Sequence, residues 1–402
     1  MKIVTLTNAY GPRTGGVRTQ IDALRRLYHA AGHETVLIHP AERDEQDADA
    51  AGPVYRLRAP QFPLNRDYRN LWALDPVARL VDRLAPDSVE VVDKWTLPRL
   101  AGRLRARGLP VLGFSCERLD RVLTPYLPPW LIGAPVRRYN AWFCRQFDEV
   151  VCHSQFAADE LRAVGGQPRV IPLGVEAERF ADAPRDERLR AELLGDGRHL
   201  LLYVGRLVPE KRVDLLAELM PLLAPRGVRL AVVGGGPLEA RLRATAGVRC
   251  LGFVRDRDEL ARLYGCCDLF VHPSSIETFG LGVLEALAAG CRVVAASGGA
   301  VAEVLPPSFP TAGPRVSCWL DAISVALAID PARAQRVARA RAAELPWSAT
   351  ASALLELHAT LTEGSATGLR AARTVPDRVL QQQQLQPDGG GEGQRVGGHG
   401  RG

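Results

Sequence analysis

The chain has 402 residues, 47% of them hydrophobic and 24% charged, proportions that suit two globular domains with their own cores and exclude a wholly disordered protein. It has no run of 18 apolar residues, so no membrane-spanning helix is expected. Of the net charge of +6, residues 1–175 hold +5, as 24 Lys and Arg against 19 Asp and Glu.

In chain order, residues 3–7 (IVTLT) read as a buried strand, too short and too abruptly stopped by Gly-Pro to be a signal peptide. The loop NAYGPRTGGVRTQ and a helix over 21–31, with Leu24 and Leu27 on one side, complete a Rossmann-like unit. The pair Gly15 and Gly16 lets backbone approach a ligand closely. It does not spell G-x-G-x-x-G, and no acidic residue follows where a dinucleotide ribose would need one, so NAD is not expected. Short apolar strands at 35–39, 54–58, 89–93, 110–115, 149–154 and 169–175, separated by helices over 77–84 and up to Gly108, imply a parallel sheet. Between Lys94 and Arg145 stand ten basic residues and only two acidic ones, Glu117 and Asp120. Such a patch suits an anionic membrane surface, an anionic acceptor, nucleic acid or plain solvent. The segment 126–147, with Trp130, Leu131, Ile132, Val136, Trp142 and Phe143 among Arg137, Arg138 and Arg145, fits either a helix lying on a membrane or one packed on the domain.

A boundary is predicted after Pro172–Gly174. A second series of strands follows at 199–205, 229–236, 248–254, 268–274 and 292–297. GRLVPEKR (205–212) leaves the first of these, placing Arg206 and Lys211 at its carboxyl end. The chain has three lysines, Lys2, Lys94 and Lys211, against 48 arginines. A lysine kept at 211 in so arginine-rich a chain points to a need for a compact ammonium there. Asp256, Arg257 and Asp258 spell D-x-D, a metal signature elsewhere, but they precede a helix near Glu259 and read better as an N-cap. The eight histidines are scattered, and no metal site is expected. The eight cysteines, including Cys152, Cys250, Cys291 and the adjacent Cys266 and Cys267, form no C-x-x-C pair and read as reduced thiols of a cytoplasmic protein. In PSSIETFGLGVLEALAAG (273–290), Glu277 and Glu285 flank a glycine-bearing turn into a helix whose N–H groups and dipole suit a phosphate. A helix over 347–361 follows, then a Gln- and Gly-rich tail that cannot bury a core.

This E-x7-E segment, together with GRLVPEKR and TGGV (14–17), resembles the family 4 retaining glycosyltransferases over roughly residues 1–362. The resemblance implies an α/β fold of two tandem Rossmann-like domains facing across a cleft, the GT-B arrangement, with the C-terminal helix crossing back. Its domains would be 1–174 on the acceptor side, 175–345 on the nucleotide-sugar side, a crossing helix over 346–362 and a disordered tail over 363–402. It also implies roles. Gly15 and Gly16 approach the donor diphosphate and the acceptor; Arg206 and Lys211 bind the diphosphate; Val254 packs the nucleotide base. Glu277 holds hydroxyls of the donor sugar, Thr278, Phe279, Gly280 and Leu281 line the turn, and Glu285 takes the ribose. Glu277, Arg206 and Lys211 are the expected catalytic set, with no cofactor and no metal.

Two departures from the family pattern stand out. Cys116, in GFSCERLD, aligns loosely with a His that many relatives carry, so that either Glu117 substitutes for it, or the chain is impaired, or the His has its counterpart elsewhere; and Glu303 is followed by Pro306 and Pro307 instead of a Gly-rich continuation. The expected activity is hexose transfer, mannose favoured, from a nucleotide-diphosphate sugar such as GDP-mannose to a lipid or glycan acceptor. An anionic membrane surface is a possible partner and nucleic acid is not. The alternatives are a catalytically impaired donor-binding partner subunit, which Cys116 motivates, and a sugar-nucleotide epimerase.

Overall fold

The computed structural model describes residues 1–11, 14–62, 65–124, 127–183 and 185–373. Sixteen strands are seen among them: β1 Lys2–Thr7, β2 Glu34–Ala41, β3 Glu45–Asp49, β4 Gly52–Arg58, β5 Gln61–Phe62, β6 Asn65–Arg69, β7 Ser88–Val92, β8 Val111–Phe114, β9 Glu149–Cys152 and β10 Arg169–Val170 in the first half, then β11 His199–Val204, β12 Val228–Val233, β13 Val248–Gly252, β14 Leu269–His272, β15 Arg292–Ala296 and β16 Thr311–Ala312. They form two main sheets, ordered β10-β9-β8-β7-β1-β2-β4-β3 and β13-β12-β11-β14-β15-β16. Every pairing in both is parallel except β3 with β4. The central strands are buried on both faces, as helix-covered parallel strands must be: all five residues of β7 and five of the six in β1 are buried.

The second sheet runs outward in both directions from β11, so the chain order reverses between β11 and β14. In open α/β sheets ligands bind outside the carboxyl ends of the strands at such a switch point. The segments after β11 and β14 are those that carry Lys211 and Glu277.

The two sheets and the returning helix match the expected architecture. The chain crosses between domains twice, and the crossings lie together: Val175 N–H donates to Leu345 O at 3.0 Å, and Thr350 Oγ1 donates to Pro172 O at 2.8 Å. A Cβ on Gly174 would stand 2.2 Å from Trp347 N, so this crossover requires glycine. The last helix, Trp347–Arg373, packs against the helix Gly16–Ala30 and inserts His358 beneath the first sheet. There the imidazole meets Ser88 Oγ at 2.7 Å and Glu90 Oε1 at 3.0 Å, while Glu90 also accepts from Tyr28 and Thr5.

Four details differ from the sequence reading. β3 reads EQDAD and is exposed along its whole length; an edge strand that buries nothing has no apolar alternation to betray it. The strand expected over 169–175 stops at Val170, because Pro172 cannot continue the ladder. The first helix begins at Gly16 instead of Ile21. The last helix passes 362 and runs to Arg373, while the remainder of the Gln- and Gly-rich tail lies outside the described residues. The helix Pro129–Cys144 packs on the domain through Ile132, Val136 and Phe143 and leaves Trp130 82% exposed. All eight cysteines are free.

Candidate active site

β11 and β14 are neighbours in the sheet, so the loops that leave their carboxyl ends must meet. After β11 the chain makes a short turn, Pro209–Lys211, ended by Arg212 in the left-handed region (φ +52°). After β14 it runs through Pro273 and Ser274 to Glu277 and enters the helix Leu281–Ala289 at Gly280, also left-handed (φ +97°). A side chain at Gly280 would be strained by that φ and would press within 3.0 Å of Val301 Cγ2.

Lys211 Nζ donates to Glu277 Oε1 at 2.6 Å, with both side chains under one-fifth exposed. Burial alone would raise the Glu277 carboxyl. The Lys211 ammonium, aided by His272, outweighs it and holds the group well below the usual carboxylate range. His272 Nε2 lies 3.2 Å from the same oxygen, close enough for electrostatic attraction though without hydrogen-bond alignment, and its Nδ1 is buried with no partner among the described residues. Arg206 is two-fifths exposed, 3.6 Å from Glu210. Burial opposes its charge, but Tyr68 and Glu117 from the first domain and Glu210 and Glu277 from the second keep it firmly protonated.

Glu285 is engaged in a way the sequence did not disclose. Its Oε1 accepts from Arg257 Nη1 at 2.6 Å and its Oε2 from Tyr264 OH at 3.1 Å. Arg257 also stands 3.6 Å from Glu176, its guanidinium 5.2 Å above the Phe180 ring. The D-x-D residues around it behave as an N-cap: Asp256 accepts from the N–H groups of Asp258 and Glu259 at the start of the helix Arg257–Cys266. Val254, half-buried just beyond β13, packs on the core of the second domain.

The first domain closes over this ground. A Cβ on Gly16 would sit 3.3 Å from Leu281 Cδ1, whereas one on Gly15 would meet nothing within 4 Å. Gly15 therefore faces open space and Gly16 touches the first turn of the E-x7-E helix. Thr278 Oγ1 donates to Cys116 O at 2.7 Å, and Ser154 Oγ donates to Thr278 O at 2.6 Å. Glu303 spans the domains by accepting from Gln155 N–H and Phe156 N–H, at 2.8 and 2.7 Å, at the start of the helix Gln155–Arg162. Its carboxylate is thus a cap supplied by the other domain, favoured by the helix dipole. Cys116 does come to the cleft, where burial pushes its thiol up to about 12; it is neutral and no proton shuttle near pH 7.

The structure thus gathers Gly15, Gly16, Arg206, Lys211, Glu277, Thr278, Phe279, Gly280, Leu281 and Glu285 around one switch point. Sequence reading missed His272, Arg257 and Tyr264. Their only signal was position, His272 ending β14 and Arg257 starting the helix beside β13.

Two Rossmann-like domains closed over paired cations, an ionised carboxylate and a helix start define a GT-B glycosyltransferase. Residues 14–179 match the model of Glycosyltransferase Family 4 and residues 198–318 that of Glycosyl transferases group 1, and the chain belongs to this family of hexose-transferring enzymes. It is 34% identical over 363 residues, 88% of this chain and 95% of the relative, to a GDP-mannose-dependent alpha-(1-6)-phosphatidylinositol dimannoside mannosyltransferase of Mycobacterium tuberculosis. To a GDP-mannose-dependent alpha-mannosyltransferase of the same species it is 30% identical over 76% of this chain and 82% of the relative. Sucrose-phosphate synthase from Thermosynechococcus elongatus superposes with a TM-score of 0.76 at 20% identity, covering 90% of this chain and all of that one. An Anabaena protein in complex with UDP and glucose does so at 0.68 and 20%, covering 90% and 99%; both share the fold.

Proposed function

We propose that the protein transfers mannose from GDP-mannose, with retention of configuration, to a hydroxyl of a lipid-borne acceptor. The observation that carries this is the Lys211–Glu277 pair at the β11/β14 switch point, in a chain similar to relatives named as GDP-mannose-dependent mannosyltransferases. Cleaving a sugar from a diphosphate requires the departing negative charge to be stabilised. Lys211 as a point charge, Arg206 as a planar fork and the N-terminal turn at Leu281 supply that without a metal. Glu277, ionised across the working pH range, accepts hydrogen bonds from hydroxyls of the transferred sugar. Glu285, held by Arg257 and Tyr264, binds the ribose, and Val254 packs the base.

Purified protein should be stabilised by GDP-mannose and not by UDP- or ADP-sugars, since a ligand bound only by the folded state raises its melting temperature, and it should release GDP when phosphatidylinositol dimannoside is supplied. Equal response to all three nucleotides would overturn the donor assignment. Binding with no turnover on any lipid extract would make the chain an impaired donor-binding subunit, the reading that Cys116 motivates.

The first domain also exposes large apolar side chains. Trp72, Trp95, Leu127, Trp130 and Leu131 are exposed there, with Arg99, Arg103, Arg121, Arg137 and Arg138 exposed on the same domain. Among the described residues no helix is long and apolar enough to cross a membrane, so we read this face as peripheral, on an anionic cytoplasmic leaflet. In flotation the protein should rise with vesicles containing phosphatidylglycerol and stay behind with phosphatidylcholine alone; equal partitioning would sink the membrane assignment.

A further inference from the structure

Glu285 is 5% exposed and each of its carboxyl oxygens has a protein partner, but the two partners are unequal. Tyr264 OH stands 3.1 Å from Oε2 and also 3.1 Å from Gly282 O, so its single proton is divided between them. Arg257 Nη1 donates to Oε1 at 2.6 Å, a short bond from a group that is always charged. Arg257 is itself held in place. Its guanidinium lies 5.2 Å above the Phe180 ring, and Nη2 is 3.6 Å from Glu176 Oε2. That second acid does not draw it away, because Glu176 is already shared by Arg26 of the first domain at 3.2 Å and by Arg179 at 3.3 Å.

Arg257 occupies a place that its own helix does not favour. Asp256 caps the helix Arg257–Cys266, which puts Arg257 in the first turn, where the helix dipole opposes a cation. The contacts with Glu285, Glu176 and Phe180 offset that cost, and of these the bond to Glu285 is the shortest. A Glu side chain has several rotatable bonds, and freezing them as a ligand arrives weakens binding, whereas a side chain fixed beforehand avoids the loss. The two oxygens of a carboxyl group can accept about four hydrogen bonds, and Arg257 and Tyr264 take one on each. One is left on each oxygen, which suits two hydroxyls on neighbouring carbons. We propose that Arg257 is a positioning residue for the donor nucleotide: it fixes Glu285 so that both oxygens accept, one each, from the adjacent hydroxyls of a ribonucleoside diphosphate, and so makes the site selective for ribose over deoxyribose.

This inference rests on the reading of Glu285 as the ribose ligand, and the experiment separates the two. Calorimetry compares GDP with 2′,3′-dideoxy-GDP on wild type, Arg257→Gln and Arg257→Lys; if the chain prefers UDP or ADP, that nucleotide and its dideoxy form are used, since the ribose is common to all. Wild type should bind the ribonucleotide more tightly than the dideoxy form by about tenfold or more. In Arg257→Gln the ribonucleotide affinity should fall about tenfold, the usual worth of a hydrogen bond from a charged group, while that of the dideoxy form changes less than threefold, so that the preference disappears. Arg257→Lys keeps a cation beside both acids and tests the proposal should Arg257→Gln fail to fold; without the planar fork it should lose about threefold or more of the preference. A preference that changes less than threefold in these variants would overturn the proposal, and so would equal weakening of both nucleotides, which would make Arg257 a merely structural residue. A wild type that binds none of the nucleotides, or does not distinguish the ribose from the dideoxy form, would overturn the assignment of Glu285 itself and this inference with it.

Discussion

Replacing Lys211 by alanine should lower kcat for mannosyl transfer by about 10²- to 10³-fold, the usual loss when one preorganised group facing developing charge is removed. It should also change the pH profile, for a reason that lies in Glu277. In the wild type Lys211 outweighs the burial that would otherwise raise this carboxyl. A depressed carboxylate contributes its full stability above its unfolded pKa of about 4.3 and loses it progressively as pH falls from there through the lower folded value, while the carboxylate of the folded pair itself stays ionised from neutrality down through the ordinary carboxylate range. Without Lys211 the burial remains and the compensating charge does not. The Glu277 carboxyl then rises, with only His272 left to oppose burial, and the variant should acquire an acid limb that the wild type lacks. Initial rates of Lys211→Ala from pH 5 to 9 check this; a uniformly slower enzyme with an unchanged profile would show that the ammonium does not set the ionisation of Glu277. Lys211→Arg should keep the wild-type profile, because it keeps the charge, while losing part of kcat, because a planar fork does not fit a point-charge site.

The second large effect is on stability. The side chains of Lys94 and Glu160 are 2% and 4% exposed and 2.7 Å apart, and Glu160 also accepts from Asp120 N–H at 3.0 Å. Lys94→Met should cost about 3–5 kcal/mol, because it leaves a buried carboxylate uncompensated, read as a fall in the urea midpoint at pH 7 with the slope retained. The double change Lys94→Met with Glu160→Leu should cost clearly less than the sum of the two single changes, since it removes both charges together. Simple additivity would mean that the two charges are independently solvated. Full recovery is not expected, because Ser115 Oγ, Glu117 O and Asp120 N–H each lose a partner.

How far the sequence disclosed this molecule depends on how local each feature is. The strands of both sheets could be read because a parallel strand under two helical layers is a continuous apolar run, as in VEVV and LLLYV. Glu277, Glu285, Arg206 and Lys211 were legible because each lies at a fixed offset from a strand end, which turns spacing into position. Arg257 was not. Its charge stood between two aspartates that advertised a cap, and its partner Glu285 is 28 residues away. Glu303 was identified as a departure from pattern, yet its role across the cleft depends on N–H groups 147 and 148 residues distant, a separation that no periodicity encodes. The same holds for Thr278 and Cys116, joined over 162 residues. Where each residue stands relative to its own strand was therefore plain, and what each one touches in the opposite domain was not.

The paired crossovers at Gly174 and Pro346 have a mechanical meaning. Two segments of chain run side by side there, with a third attachment from Thr350, so the two lobes are tied at one place by three separate contacts. A second tie between the lobes runs through Thr278 and Glu303. A ligand that bridged the two halves there would have to displace these bonds, whereas a side chain at Gly174 would collide with Trp347 N and disturb the crossover itself.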